Sequence, residues 1–278
     1  MLFFLLAVIT SALVSVFMRA SEKHVKNNIT MLAFNYAMCT VLALICTPDL
    51  CTIPQGAAIG RAGMLGMING VLYLGGFVAL NWNIRHNGVV LSATFMKLGV
   101  LVPTLMADFL FGEIPTVWQL IGIAASVSAI VLIRSENGTS QIKHSAGLLM
   151  LPLIGGMADG MSKVYEVYGS PELSNHFLLF TFFVALILCT ALAVVKKQSL
   201  TPADALFGLL IGIPNYFTAR FLLLSLKTIP AIIAYPGYSV GTIVLVTLAG
   251  MAFFREKLSR RQMLALLIIM AALAMLNL

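Results

Sequence analysis

Charge is scarce in this 278-residue chain. Asp, Glu, Lys and Arg together make up 10% of it, against about 25% in an ordinary globular domain. So few charges cannot cover a water-facing surface, so a soluble fold is excluded and the solvent is lipid. Histidine is scarce too. The 4 histidines, His24, His86, His144 and His176, stand far apart in sequence and read as interfacial residues. The 4 cysteines, Cys39, Cys46, Cys51 and Cys189, lack metal-ligand spacing, and no metal or cofactor is expected. Cys46 and Cys51 flank one loop and would pair only in an oxidising compartment; free thiols are the simpler reading. There is no phosphate-cradling glycine loop after a strand, no helical HExxH and no nucleophile elbow. The common enzyme classes, and ATP hydrolysis by the chain itself, are therefore not expected. No basic region precedes the apolar stretch 1–18 and no convincing cleavage site follows it. It reads as a retained first helix rather than a signal peptide.

What the chain has in quantity is apolar sequence, 60% of the total. A span needs about 20 apolar residues, so the length holds roughly ten. The runs place them at Leu2 to Arg19, Ile29 to Cys46, Gly60 to Ile84, Gly88 to Gly112, Val117 to Ile133, Ala146 to Tyr165, Asn175 to Val195, Ala203 to Leu226, Pro230 to Phe254 and Arg261 to Leu276. In lipid such runs must be helical, because only a helix satisfies its backbone polar groups within the segment. The reading is an all-α integral membrane protein.

The sequence also repeats. Adding 143 carries Thr104, Leu105, Phe111, Glu113 and Gln119 onto Thr247, Leu248, Phe254, Glu256 and Gln262, and Thr116 onto Ser259. Gly66 and Asn69 match Gly212 and Asn215 at an offset of 146. Five spans recur as five, and five is odd, so the copies cross the membrane in opposite senses. The expected organisation is a first five-helix repeat over 1–134, a polar linker over 135–145 and an inverted second repeat over 146–278. Inverted repeats are a common plan of secondary transporters, with the substrate near the midplane between the halves.

Net charge is +7, from 17 basic and 10 acidic residues. Arg19, Lys23, Lys26, Arg85, Arg134, Lys143, Lys196, Lys197, Arg255, Lys257, Arg260 and Arg261 fall in odd-numbered loops. Arg61, Lys163 and Lys227 fall in even-numbered loops or at helix ends. The positive-inside rule then puts odd loops in the cytoplasm. The positive balance reflects topology and anionic headgroups, not nucleic acid.

Ionisable groups inside spans are the candidates for function. A charge at the bilayer centre costs about 2.5–3.5 kcal/mol. Lys97 lies about 14 Å along the fourth span at 1.5 Å per residue, near mid-membrane. Arg220 lies in the eighth span, nearer an interface, and Asp159 in the second half of the sixth. Scaffold residues should recur in both copies, but Lys97 aligns with Val240 and Arg220 with Leu74. Lys97 shares a helix face with Thr104 and Asp108. In the ninth span Tyr235, Tyr238, Ser239 and Thr242 share a face, either a wet cavity wall or an interhelical hydrogen-bond seam. In the third, Asn69 and Tyr73 are one turn apart, and the recurrence of Asn69 as Asn215 favours helix packing. Gly208 and Gly212 form a GxxxG pair that lets helices approach closely.

Pro103, the stretch FGEIPTVWQLIG (Phe111 to Gly122) and its echo FREKLSRRQMLA (Phe254 to Ala265) resemble the drug/metabolite transporter (DMT) superfamily in its ten-helix EamA-like branch. Val246 stands where the second copy should have proline, and Arg255 where glycine should precede Glu256. The resemblance implies a carrier of small solutes working by alternating access, with a central cavity on spans that include those of Asn69, Tyr73, Lys97, Asp159, Arg220, Tyr235 and Tyr238. The intramembrane cations favour a small polar metabolite with an anionic group, an amino acid or organic acid, with Asp159 as coupling candidate. The alternative is a proton-coupled exporter of cationic drugs or toxic metabolites using Asp159 or Glu166. Expected partners are a small-molecule substrate and the lipid bilayer of the cell membrane; a homodimer stays open.

Overall fold

The computed structural model describes residues 1–21, 24–47, 56–87, 96, 99, 102–103, 106, 116–134, 145–254, 260, 264, 267–268, 271 and 275. Among them the elements are α1 (Leu2–Ser21), α2 (Asn28–Ile45), α3 (Ala57–Asn87), α4 (Val117–Arg134), α5 (Ser145–Tyr168), a single 3-10 turn (Pro171–Leu173), α6 (Ser174–Val195), α7 (Pro202–Leu226) and α8 (Ala231–Phe254). These correspond to predicted spans one to three and five to nine. Most of the fourth and tenth spans, the FGE break at Glu113, its echo at Glu256 and linker residues 135–144 lie outside the described residues.

Six helical segments among the described residues are long and apolar enough to cross a membrane. They leave Leu2, Leu5, Ile45, Val71, Val194 and Val195 exposed. In water these faces would be costly, whereas in lipid they are solvated like with like, while the helices keep their backbone hydrogen bonds internal. The protein is a multi-pass membrane protein. Cys39, Cys46 and Cys189 are free thiols; Cys51 lies outside the described residues.

Two compact units divide the chain: Met1–Leu74 with Val164–Lys227, and Gly75–Lys163 with Thr228–Leu278. The first is built on α7, which packs against α1 and α2, while α2 also packs against α6. Glycine makes these approaches possible. A Cβ on Gly208 would strike the Met31 carbonyl oxygen and lie 2.6 Å from Phe34 Cβ. On Gly212 it would lie 2.5 Å from Met38 Cβ and 2.7 Å from the Asn35 carbonyl oxygen. The same arrangement occurs between α3 and α6. A Cβ on Gly66 would lie 2.7 Å from Phe180 Cβ and 2.8 Å from the Phe177 oxygen, and on Gly70 2.6 Å from the Thr181 oxygen.

The two seams match atom for atom. Met31, Phe34 and Asn35 correspond to Phe177, Phe180 and Thr181, an offset of 177 − 31 = 146. Gly66 and Gly70 correspond to Gly208 and Gly212, an offset of 208 − 66 = 142. The pairing by identity, Gly66 with Gly212 and Asn69 with Asn215, has an offset of 146, whereas the glycines that carry these two seams lie 142 apart.

The start of α7 is tied down by one carboxylate. Asp204 is buried and closes a capping box with Thr201. The Asp204 backbone N–H donates to Thr201 Oγ1 at 3.2 Å, and the Thr201 N–H donates to Asp204 Oδ2 at 3.3 Å. Asp204 Oδ1 also accepts from the backbone N–H groups of Lys26 (2.9 Å) and Asn27 (3.4 Å). One side chain thus caps α7 and holds the α1–α2 connection to it. Asp204→Ala is expected to cost about 2–3 kcal/mol, the loss of a cap plus charge-assisted bonds to part-buried donors. A thermal-unfolding scan of the purified protein would show it, and Asp204→Asn should fall between the two.

In the second unit, α5 meets described points of the fourth span through its glycines. A Cβ on Gly156 would strike the Gly99 carbonyl oxygen and lie 2.6 Å from Val102 Cβ. Asn83 Nδ2 on α3 donates to the Gly147 carbonyl oxygen on α5 at 3.0 Å. Pro152, Pro214 and Pro236 lie inside α5, α7 and α8, where each removes one helical hydrogen bond and eases bending.

Candidate functional site

In the first unit the chemistry gathers around Arg220. It lies six residues before Leu226, the end of α7, about 9 Å inside it, and is half-buried. Its Nη1 donates to the Tyr216 hydroxyl at 3.3 Å, one turn earlier. Among the described residues no carboxylate pairs with it. A guanidinium carries five N–H donors in a fixed fork matched to carboxylate or phosphate, and among the described residues the Tyr216 hydroxyl is the partner of one of them.

Tyr216 links Arg220 to a group of rings from four helices. The Tyr216 and Phe182 centroids are 6.0 Å apart, Phe182 and Tyr73 also 6.0 Å, and Tyr36 and Tyr73 6.4 Å edge to face. Tyr216 and Phe182 are fully buried. These are ordinary aromatic contact distances, so the rings form a continuous wall that brings Tyr73 of α3 into the same cluster as Arg220 of α7. Below it Asn215 Nδ2 donates to Asn35 Oδ1 at 3.1 Å, and the Cys39 thiol to the Gly212 carbonyl oxygen at 3.3 Å.

Asn69 gains most from the geometry. It lies on the α3 stripe Gly66, Asn69, Gly70, Tyr73, whose i, i+3, i+4, i+7 spacing marks one helix face. It is 2% exposed, and its Oδ1 has no hydrogen-bond partner among the described residues. A buried carbonyl without a donor costs about 1–3 kcal/mol, and such a group asks for a ligand. The residue 142 further on from Asn69, the spacing of the two glycine seams, is Ile211, and the residue 142 before Arg220 is Val78, both apolar.

Lys97 lies outside the described residues. The other candidates fall in the second unit. Tyr235 is buried and its hydroxyl donates to the Asp159 main-chain carbonyl at 2.8 Å. That bond ties α8 to α5, so the Tyr235 hydroxyl serves an interhelical seam. Tyr238 follows on the same helix, half-buried. Thr242, fully inside, has a hydroxyl with no partner among the described residues. One turn after Asp159 comes Lys163, 7% exposed, which the sequence placed at a helix end; α5 continues to Tyr168 and encloses it. The four-residue spacing of Asp159 and Lys163, and of Tyr216 and Arg220, was a readable signal for both. Tyr36 and Phe182 gave none, because an aromatic ring in an apolar span looks like any other core residue. Among the described residues no cluster of His, Cys, Asp or Glu could hold a metal.

Residues 1–135 and 149–278 match the model of the EamA-like transporter family. A Haemophilus influenzae protein (strain ATCC 51907 / DSM 11121 / KW20 / Rd) described as uncharacterized is 22% identical over 281 residues, covering 96% of this chain and 94% of that one. One solved crystal structure is similar in fold at a TM-score of 0.78, with 14% identity over 99% of this chain and 94% of the other.

Proposed function

The chain belongs to the EamA-like transporter family, within the DMT superfamily, and from that premise we propose that it is a secondary transporter of a small polar metabolite bearing an anionic group. Arg220 carries this reading: a half-buried guanidinium inside an apolar helix, bonded to a tyrosine and facing no carboxylate among the described residues. Such a charge is expensive in a membrane and is kept where it meets a substrate. Asn69 Oδ1 adds a demand for a ligand N–H or O–H. An amino acid or hydroxy acid carries both kinds of group, a carboxylate suited to Arg220 and an N–H or O–H of the kind Asn69 Oδ1 would accept. Lys97, on the fourth span, is the second cation of the proposed path, Tyr73 shapes its wall, and Asp159 is the candidate coupling group. The two matching glycine seams support ten spans in two inverted repeats, the plan from which alternating access follows.

Lys97→Ala, reconstituted in proteoliposomes, is expected to abolish counterflow uptake of an anionic metabolite while the purified protein keeps its monodisperse elution. Normal uptake by this variant would remove Lys97 from the path. Uptake of organic cations in place of anions would favour a proton-coupled exporter built on Asp159 or Glu166.

A further inference from the structure

A cavity of about 550 Å³ opens between α2 and α6 in the first unit, away from the ring cluster. Phe34 and Ala37 of α2 and Leu186 and Val194 of α6 give it apolar walls, and Lys197 and Thr30 also line it. Val194 is 70% exposed, so the trough faces outward, where lipid is the solvent. Lys197 follows the end of α6 at Val195, and Thr30 is in the first turn of α2. The polar groups are therefore gathered where two helices meet the interface, and the apolar walls run inward from them.

Three observations say what fits. Lys197 is exposed beside Lys196, and the nearby carboxylate of Asp204 is occupied by backbone N–H groups of Lys26, Asn27 and Thr201. Lys197 ends α6 with a left-handed backbone, φ 48°, its N–H on the Val194 carbonyl oxygen and the Gln198 N–H on that of Ala193, a helix cap that fixes the lysine at the trough. Thr30 is 5% exposed, lines the trough, and its Oγ1 has no hydrogen-bond partner among the described residues. A buried hydroxyl in a membrane helix can usually bond the carbonyl one turn back, as Thr40 and Thr181 do here.

We propose that this trough is a specific site for one anionic phospholipid, its phosphate at Lys197, its ester or glycerol oxygens at Thr30 and an acyl chain along Phe34, Ala37 and Leu186. The charge complementarity sets it apart from ordinary lipid contact, because the walls alone would accept any acyl chain. The site is independent of the substrate reading and stands or falls without it.

Native mass spectrometry of the detergent-purified protein titrated with phosphatidylglycerol, and with phosphatidylcholine of the same acyl chains, tests it. The wild type is expected to keep one phosphatidylglycerol about fivefold more often than phosphatidylcholine, the effect of one lysine at an anionic headgroup. Lys197→Asn, which tolerates the left-handed backbone, should bring the two lipids level. Ala37→Trp, filling the trough, should remove the first adduct of either, and Lys227→Ala should change nothing. Equal retention of the two lipids by the wild type, or undiminished selectivity in Lys197→Asn, would overturn the proposal. Should Ala37→Trp not fold, the Lys197→Asn result decides.

Discussion

Gly208→Leu combined with Gly212→Leu is expected to leave no folded protein. At both positions the backbone and Cβ atoms of α2 lie where the new side chain would begin, 2.5 to 2.7 Å away at Phe34, Asn35 and Met38 and nearer still at Met31. These are not the flexible tips of long side chains, so relief requires α2 and α7 to separate. Overpacking costs about 1–3 kcal/mol per site and more where backbone blocks relaxation. Two such sites in one seam remove much of a typical stability of about 5–15 kcal/mol. Separation would also break the Asn215–Asn35 and Cys39–Gly212 bonds that cross the seam. Gly60→Ala is the control. A Cβ there meets nothing within 4 Å, and alanine should stabilise the helix by roughly 0.8–1 kcal/mol. Fluorescence-detected size exclusion in mild detergent reads both variants. A monodisperse double variant would show that the seam tolerates separation.

The second large effect concerns Arg220. Arg220→Ala is expected to lower apparent affinity for an anionic substrate about 100-fold, the worth of roughly two charge-assisted hydrogen bonds. The fold should survive, because the interaction lost among the described residues is one bond to the Tyr216 hydroxyl, worth about 1 kcal/mol. Arg220→Lys should recover only part of the loss, since it keeps the charge but not the fork. Tyr216→Phe separates positioning from binding: it removes the hydroxyl that orients the guanidinium, leaves the ring wall intact, and is expected to raise KM modestly with kcat unchanged. If Arg220 merely neutralised headgroup charge, all three variants would transport normally.

Helices were legible because lipid imposes them: a long apolar run has no other way to satisfy its backbone. Ends were harder to place, and α3 runs through Asn87 and α5 through Tyr168 because polar residues such as Asn83 and Lys163 are accommodated inside the helices instead of ending them. The importance of Gly208 and Gly212 was visible as a GxxxG motif. Gly66 and Gly70 carry the same GxxxG spacing and make the same close approach to α6. Asn69 was legible as a polar residue on a helix face, but its burial and unpartnered Oδ1 among the described residues were not. Arg220 was legible because a charge inside an apolar span needs a reason. Its setting was not, because nothing in the sequence says that Tyr36, Tyr73, Phe182 and Tyr216, from four helices, share one wall.

The central claim is that intramembrane cations select an anion-bearing solute. Ligand-induced thermal stabilisation of the purified wild type, Arg220→Ala and Lys97→Ala tests it most directly, with three ligands of one carbon skeleton: the amino acid, the hydroxy acid and the amine lacking the carboxylate. The expected result is that the two acids raise the wild-type Tm, the amine does not, and both variants lose the shift. Stabilisation by the amine alone, with the same shift in Arg220→Ala and Lys97→Ala, would contradict it.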